Sequence, residues 1–180
     1  EDRQKNMWFG TANGLNKLEV STGKFTSYYL KDGLPNESIW GLVGDEKGNL
    51  WMSTNKGITR FNPLIENIDG GAFRNYDIYD GVQSDEFIQG SLFKNHKTGE
   101  IFMGGLNGFN SFYPSEIIDN PHIPQIYLTS YKRFGKEVVL DTNITEKKYI
   151  ELSYRDNFFS FEFVSLDYLF PAKNKYSWKM

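Results

Sequence analysis

Cysteine is absent from the 180-residue chain, which excludes a disulfide framework, a thiolate metal site and a cysteine nucleophile. A basic excess is also missing: the formal net charge is −3, which gives no support for nucleic-acid binding. No apolar run approaches the length of a membrane span, so the residues given are not expected to contact a bilayer. Aromatic residues are abundant at 17%, with 17 glycines and 6 prolines, and this composition favours β-strands and tight turns.

One sequence pattern occurs three times. Each copy has an apolar–aromatic–apolar triplet, two small residues, two variable positions, glycine and a further apolar residue. The copies are MWFGTANGLNKL (7–18), LWMSTNKGITRF (50–61) and IFMGGLNGFNSF (101–112). A repeat of roughly 40–50 residues that carries several short strands is typical of β-propeller blades. The sequence therefore predicts an all-β fold that begins with about two and a half four-stranded blades of a partial β-propeller.

The second copy predicts one complete blade, whose strands A to D lie at 38–43, 50–54, 58–62 and 73–78. Glycine marks the hairpin between strands B and C in each copy, at Gly14, Gly57 and Gly108. One position of strand B is aromatic in each copy, at Trp8, Trp51 and Phe102. We interpret these aromatic residues as core side chains wedged between neighbouring blades, although the same residue types also form sugar platforms.

The blade count predicts unpaired sheet edges. The first copy begins at its A–B turn, and the third has no recognisable strand D before Pro114. A closed propeller has roughly four to eight blades, so these residues are expected to be a piece of a larger assembly. Exposed sheet edges promote association, and we expect the isolated chain to pair with a second copy or to be poorly soluble.

The repeat stops at Pro114. Prolines at 114, 121 and 124 predict a stiff connector, and the strand-like segments after it predict the start of a β-sandwich. These segments lie at 126–138, 148–154, 157–168 and 174–180. The predicted domains are therefore propeller blades at 1–113, a connector at 114–124 and the N-terminal part of a sandwich at 125–180.

Two passages resemble a known family. GLPNESIWGLVGDEKGNLWMSTNKGITRFNP (33–63) is similar to the regulator-propeller repeat of periplasmic sensors in hybrid two-component systems. LSYRDNFFSFEFVSLDYLFPAKNKYSWKM (152–180) is similar to the start of the immunoglobulin-like Y_Y_Y domain that follows those propellers. The resemblance implies the extracytoplasmic part of an inner-membrane histidine kinase/response regulator that works by phosphorelay. It also implies a polysaccharide breakdown product as ligand and signalling through a homodimer.

Polar and aromatic residues of the D-to-A connections are the candidate ligand contacts, because these connections border the concave face of a propeller. They are Asn36, Glu37 and Trp40 from one connection and Ser84, Asp85 and Glu86 from the next. The structural alternative is that Asn36 forms the turn, Trp40 packs on the next blade and the acids are solvated.

Catalysis and metal binding receive little support from the sequence. GDEKGNLW (44–51) resembles the Asp-box turn of sialidases, but that box is structural and lacks its leading serine here. His96 and His122 are far apart, and no dense run of calcium ligands is present. We therefore predict no catalytic residue, metal or cofactor. A propeller scaffold for a protein partner is the alternative function, and a carbohydrate-active enzyme is a distant third.

Overall fold

The computed structural model describes residues 1–65, 71–119, 124–140, 142–147, 149–166, 171, 174 and 176. Contacts divide the chain into two units, Glu1–Ile118 and Asp119–Met180. The described residues form β-strands and short 3-10 turns without an α-helix, which confirms the predicted all-β class. Within these ranges, no helical segment has the length and hydrophobicity that a membrane span requires. The boundaries predicted at 113 and 124 stay predictions.

Three antiparallel sheets build the first unit. Their strands are β1 (Met7–Thr11), β2 (Gly14–Glu19), β3 (Lys24–Tyr28), β4 (Ile39–Gly44), β5 (Leu50–Thr54), β6 (Gly57–Phe61), β7 (Phe73–Tyr76), β8 (Phe87–Lys94), β9 (Ile101–Gly105) and β10 (Gly108–Phe112). The sheets have the orders β1-β2-β3, β4-β5-β6-β7 and β10-β9-β8. The middle sheet is the complete blade predicted from the second copy. The first sheet corresponds to strands B to D and the third to strands A to C, as expected.

The hairpin between β5 and β6 shows why glycine recurs in the repeat. Asn55 and Lys56 keep negative φ, whereas Gly57, which pairs with Thr54 and closes the two-residue turn, has a φ of 84°. The Thr54 hydroxyl accepts from Lys56 N and donates to Gly57 O, both at 2.9 Å. A Cβ on Gly57 would overlap the Tyr76 carbonyl oxygen, so this hairpin requires glycine for space as well as for φ.

The first interface between blades is an aromatic core. Trp8 of the first blade meets Phe61 of the second edge to face, with ring centroids 5.4 Å apart. Phe73 lies 4.5 Å from Phe61 and 6.0 Å from Tyr28, measured between ring centroids. Trp8, Phe61 and Phe73 are each at most 7% exposed. Rings contributed by both blades therefore fill the space between the two sheets.

The second interface repeats this arrangement. Trp51 stacks on Tyr76 of its own blade at 5.6 Å and meets Phe112 of the third blade at 4.8 Å. Trp51 is 2% exposed. Phe102 occupies the same strand position in the third blade but is only partly buried, where it contacts the exposed rings of Phe93 and Phe109. Within the described residues of the first unit, no further sheet packs on that face, so the first unit alone does not supply the core environment expected for Phe102.

The second unit contains one sheet of order β12-β11-β13, made of β11 (Ile126–Arg133), β12 (Lys136–Glu137) and β13 (Phe159–Ser165). Strands β11 and β13 confirm those predicted within 126–138 and 157–168. The strand predicted at 148–154 is wrong for residues 149–154, which form no strand. Residues 149–154 take no place in the sheet, whose order is β12-β11-β13. Most of 174–180 lies outside the described residues, and an immunoglobulin-like sandwich remains a prediction.

Candidate functional site

The two D-to-A connections have the same local structure. Each begins with a 3-10 turn, at Leu30–Asp32 or Ile78–Asp80, that ends at a glycine with positive φ. The turn's last aspartate accepts a hydrogen bond from the backbone N–H of the residue before the turn, at 2.8 Å in the first connection and 2.9 Å in the second. The chain then buries Leu34 or Val82 before it enters the next blade. The repeated DG dipeptide at 32–33 and 80–81 encodes this geometry.

Hairpin glycines anchor both connections. Gly14 N donates to Glu37 O at 2.8 Å, and Gly57 N donates to Asp85 O at 2.7 Å. Leu106 N donates to Glu86 O at 3.2 Å in the third blade. Backbone carbonyls of three predicted ligand residues are thus used in holding connections against hairpins. The side chains of Asp85 and Glu86 remain exposed and that of Glu37 is partly buried.

Asn36 and Ser84 shape the turns in which they lie. The Asn36 side-chain oxygen accepts from Ser38 N at 2.8 Å, and the Ser84 hydroxyl accepts from Glu86 N at 3.2 Å. Glu37 Oε1 accepts from Leu30 N at 3.4 Å, a long bond. For Asn36 this hydrogen bond is the turn-forming alternative to ligand binding, and Ser84 has a similar role that was not expected. The side chains of Asn36 and Ser84 remain partly accessible.

Trp40 is a bulged residue on β4. The register passes from Ile39↔Thr54 to Gly41↔Ser53, which leaves Trp40 without a partner on β5. Its Nε1 donates to Asn55 Oδ1 at 2.6 Å, and its partly buried ring packs on the core between the second and third blades. Trp40 is therefore joined to the B–C hairpin, a contact that sequence reasoning missed. Within the described residues, no hydrogen bond joins the predicted ligand contacts of the first connection to those of the second.

A longer bulge occurs at the corresponding place in the third blade. Strand β8 passes from Phe87↔Gly105 to Leu92↔Met103, so four residues on β8 face a single unpaired position on β9. Gly90 has a φ of 78°, and the Ser91 hydroxyl donates to Gly104 O at 2.7 Å. Ile88 is 49% exposed at this end of the blade. The glycine inside an otherwise strand-like run is the sequence signal for this bulge.

Gln83 replaces a missing threonine at this end of the third blade. The first two hairpins are capped by Thr11 and Thr54, but the third has Gly105 at that position. Gln83 Oε1 accepts from Asn107 N at 2.9 Å, the amide that corresponds to Lys56 N in the second hairpin. A Cβ on Gly105 would overlap the Gln83 side-chain amide, so the glycine and the glutamine depend on each other. The sequence shows the lost threonine but not its substitute.

The opposite end of the blades carries the Asp-box-like turns. The carboxylate of Asp45 accepts from Lys47 N, Asn49 N, Asn49 Nδ2 and Trp51 Nε1, at 2.8–2.9 Å. Asp2 makes the same four contacts in the first blade, ending on Trp8 Nε1 at 2.8 Å. Burial raises the pKa of Asp45, but the hydrogen bonds from Asn49 and Trp51 outweigh burial and lower it overall. The carboxylate is thus used in fixing the turn and the core tryptophan.

We expect Asp45→Asn to lower the free energy of unfolding at pH 7 by about 1–3 kcal/mol, because an amide replaces a carboxylate that accepts four hydrogen bonds. The folded-state pKa of Asp45 lies below its unfolded value, so its stabilisation is present above about pH 3.9 and is lost as pH falls through the folded pKa. Urea unfolding of the parent chain and of the Asp45→Asn variant, at pH 7 and at pH 3, measures the difference in the free energy of unfolding.

The neighbouring Glu46 is the matched control for that substitution. Its carboxylate contacts Lys94 Nζ at 2.7 Å, and the hydrogen bond from Lys94 lowers its pKa. Because Glu46 is exposed, Glu46→Gln should change stability by less than about 0.5 kcal/mol. Equal losses in the two variants would contradict the assignment of Asp45 as a partly buried turn acceptor.

Contacts between blades continue along this end. Arg3 of the first blade donates to the Glu46 carbonyl oxygen, and Lys94 of the third blade donates to Gly44 O at 2.8 Å. The turns of successive blades are thereby tied together. Within the described ranges, no group of three or more His, Cys, Asp or Glu side chains could hold a metal ion. His96 is exposed in the third turn, and His122 lies outside the described residues.

Comparisons with known proteins agree with this architecture. Residues 33–56 match the family model described as two component regulator propeller. The chain is 29% identical over 156 residues to histidine kinase P4 of Formosa agariphila, a match that covers 83% of the chain and 11% of that protein. A crystal structure of an extracellular domain from B. thetaiotaomicron, assigned to the hybrid two-component system BT3049, is 29% identical with a TM-score of 0.62. That match covers 94% of the chain and 23% of the solved domain.

The chain thus spans about a quarter of the solved domain and about a tenth of the kinase. The family match covers the first connection from Gly33 onward and strands β4 and β5. Residues 33–56 thus match a two-component regulator propeller repeat, and the chain is similar in sequence to part of a histidine kinase and in sequence and fold to part of an extracellular domain of a hybrid two-component system.

Proposed function

We propose that these residues belong to the extracytoplasmic, ligand-sensing part of a hybrid two-component histidine kinase/response regulator. The observation that carries this proposal is the similarity to an extracellular domain of such a system over 94% of the chain. By the same proposal the region is periplasmic and belongs to an inner-membrane protein. Phosphorelay chemistry would be performed elsewhere in that protein, and this region would act by binding.

The proposed ligand site is the end of the blades formed by the D-to-A connections. Its contacts are Asn36, Glu37, Trp40, Ser84, Asp85 and Glu86. Support comes from a fixed backbone combined with accessible side chains: the Glu37 and Asp85 carbonyls are held by Gly14 and Gly57, while Asp85 and Glu86 are exposed. A site whose backbone is already ordered loses less entropy when it binds a ligand.

We propose a glycan breakdown product as the ligand. Carboxylate, amide and hydroxyl groups suit the many hydroxyls of a sugar, and an aromatic ring suits its apolar face. The bond from Trp40 Nε1 to Asn55 fixes the indole orientation, which favours stacking over a mobile contact. Signalling would then follow from a ligand-dependent change in the geometry of a homodimer.

The test is calorimetric titration of the chain with a panel of neutral and uronate-containing di- and tetrasaccharides. We expect at least one to bind and the paired substitution Glu37→Gln, Asp85→Asn to weaken that binding about tenfold or more. Glu46→Gln, at the other end of the blades, should leave affinity unchanged. If the chain turns over a saccharide and the paired variant does not, the enzyme alternative is favoured. If the chain binds a protein partner but no saccharide, the scaffold alternative is favoured.

A further inference from the structure

Strands β4 and β8 are the first strands of the second and third blades, and each is bulged near its D-to-A connection. In β4 the bulge is the single residue Trp40. In β8 the corresponding residues are Ile88, Gln89 and Gly90, which pair with no residue of β9. The third blade therefore has three residues where the second has one tryptophan, and these residues leave the ladder.

The residues that follow the two bulges show that the insertion is confined to 88–90. In the second blade Gly41 pairs with Ser53. In the third blade the serine is on the first strand, at Ser91, and the glycine it contacts is Gly104 on β9. A Cβ on either glycine would lie 2.9 Å from an atom of the facing serine. Each pair thus has one serine and one glycine in opposite order, so Ser91 corresponds to Gly41.

The three inserted residues lie between fixed ends. Phe87 is 4% exposed, and Leu92 packs against the core between the second and third blades. The Ser91 hydroxyl contacts Ile88 O and so closes the bulge, while Gly90 supplies the positive φ that the chain reversal needs. The bulge is therefore held by contacts within the chain, and an ordered surface loses less entropy when it binds a ligand.

Trp40 lies beside this bulge. Its ring packs on the core cluster to which Phe87 and Leu92, at the two ends of the bulge, also belong. A Cβ on the next residue, Gly41, would lie 2.8 Å from Leu92 Cδ1, so the two first strands are in close contact there. Glu86 immediately precedes Phe87 in the chain. The bulge therefore lies between Trp40 and the acidic contacts of the second connection.

The exposed side chains of the bulge are uncharged. Ile88 is 49% exposed, and Gln89 is also exposed. The neighbouring carboxylates of Glu37, Asp85 and Glu86 form no ion pair within the described residues. Carboxylates without a paired cation repel an anionic ligand, whereas an apolar side chain and an amide suit a neutral one. The surface beside Trp40 thus favours an uncharged ligand group.

We propose that Ile88, Gln89 and Gly90 are a specificity-determining element of the ligand site and that the residue bound beside Trp40 is a neutral sugar. This inference rests on the proposed function. Ile88 contacts the edge of a sugar ring stacked on Trp40, and the Gln89 amide donates to and accepts from its hydroxyls. Gly90 leaves room for close approach, since even a Cβ there would meet no atom within 4 Å.

Cellotetraose, mannotetraose and galactotetraose are the probes, each beside the uronate made from it by oxidation of its primary hydroxyls. Calorimetric titration of the 180-residue chain at low salt should give a neutral probe whose dissociation constant is about tenfold or more below that of its uronate. Added salt should narrow this difference, because it screens the carboxylates and leaves binding of the neutral probe unchanged.

Two substitutions in the bulge test its part in that binding. Gln89→Ala should weaken binding of the neutral probe about tenfold, and Ile88→Ala about fivefold. Gln4→Ala is the matched control, because Gln4 is an exposed glutamine in the first A–B turn, at the opposite end of the blades, and its loss should leave affinity unchanged. Thermal unfolding of all three variants should match that of the parent, since the replaced side chains are exposed.

Unchanged affinity in both bulge variants, or tighter binding of the uronate than of its neutral parent, would overturn this inference and leave the proposed saccharide site in place. An equal loss of affinity in Gln4→Ala would overturn it as well, because the effect would not then be specific to the bulge. Absence of binding to all six probes would also overturn the inference. Absence of binding to the wider saccharide panel would overturn the proposed ligand too.

Discussion

Gly57→Ala should lower the free energy of unfolding by about 3 kcal/mol or more. The φ of 84° at Gly57 is unfavourable for alanine, and the added Cβ would overlap the carbonyl oxygen of Tyr76. That carbonyl belongs to β7, so relief of the overlap requires movement of a neighbouring strand. The Gly57 N–H also holds the next connection through Asp85 O. Denaturant unfolding measures the loss.

Gly23→Ala separates backbone strain from steric overlap. Gly23 has a φ of 72°, close to that of Gly57, but a Cβ there would meet no atom within 4 Å. Its substitution should therefore cost only the backbone strain of about 1–2 kcal/mol. Equal destabilisation in the two variants would show that the Tyr76 contact is unimportant and that φ alone explains the glycine.

Trp51→Ala should lower the free energy of unfolding by about 3–5 kcal/mol, the range for removing a large aromatic side chain from a core. Trp51 is 2% exposed, stacks on Tyr76, meets Phe112 and donates its indole N–H to Asp45. Its loss would therefore open the second interface and release the turn at Asp45 together. Thermal and urea unfolding, with tyrosine fluorescence or circular dichroism as the signal, measure the effect.

Phe102→Ala is the comparison within the chain for that prediction. Phe102 has the same strand position, but it is only partly buried and has no indole N–H. Its removal should cost less than half as much as the removal of Trp51, since less apolar surface leaves a buried environment. Similar losses would mean that burial between blades does not determine the importance of this position.

The blade strands could be predicted because their signals are local. The apolar run at 50–52 and the apolar residues at 58 and 61, on either side of the glycine at 57, indicate a hairpin without any long-range contact. The repeat then extends that prediction to the other two copies. The aspartate turns are also encoded locally, as Asp followed by Asn four residues later and Trp six residues later, at both Asp2 and Asp45. That spacing was visible in the sequence.

Features that depend on contacts across space could not be predicted in this way. Gln83 replaces a threonine hydroxyl from another segment of the chain, and no local pattern identifies its target, Asn107. Trp40 reaches Asn55 because β4 is bulged, and alternation does not show where a register shift occurs. Residues 149–154 have a strand-like composition, but a strand also needs a hydrogen-bonded partner strand, and composition does not show whether one is present.

The ring contact between blades is directional. A blade presents its tryptophan on one face and receives the tryptophan of its neighbour against a phenylalanine on the other, as Trp8–Phe61 and Trp51–Phe112 show. Because this head-to-tail contact is not self-complementary, a pair of blades always leaves one tryptophan face and one phenylalanine face open. Further blades can be added at those faces. The aromatic contacts therefore set the direction in which blades stack but not the number of blades. The angle between successive sheets determines how many blades are needed to close the ring.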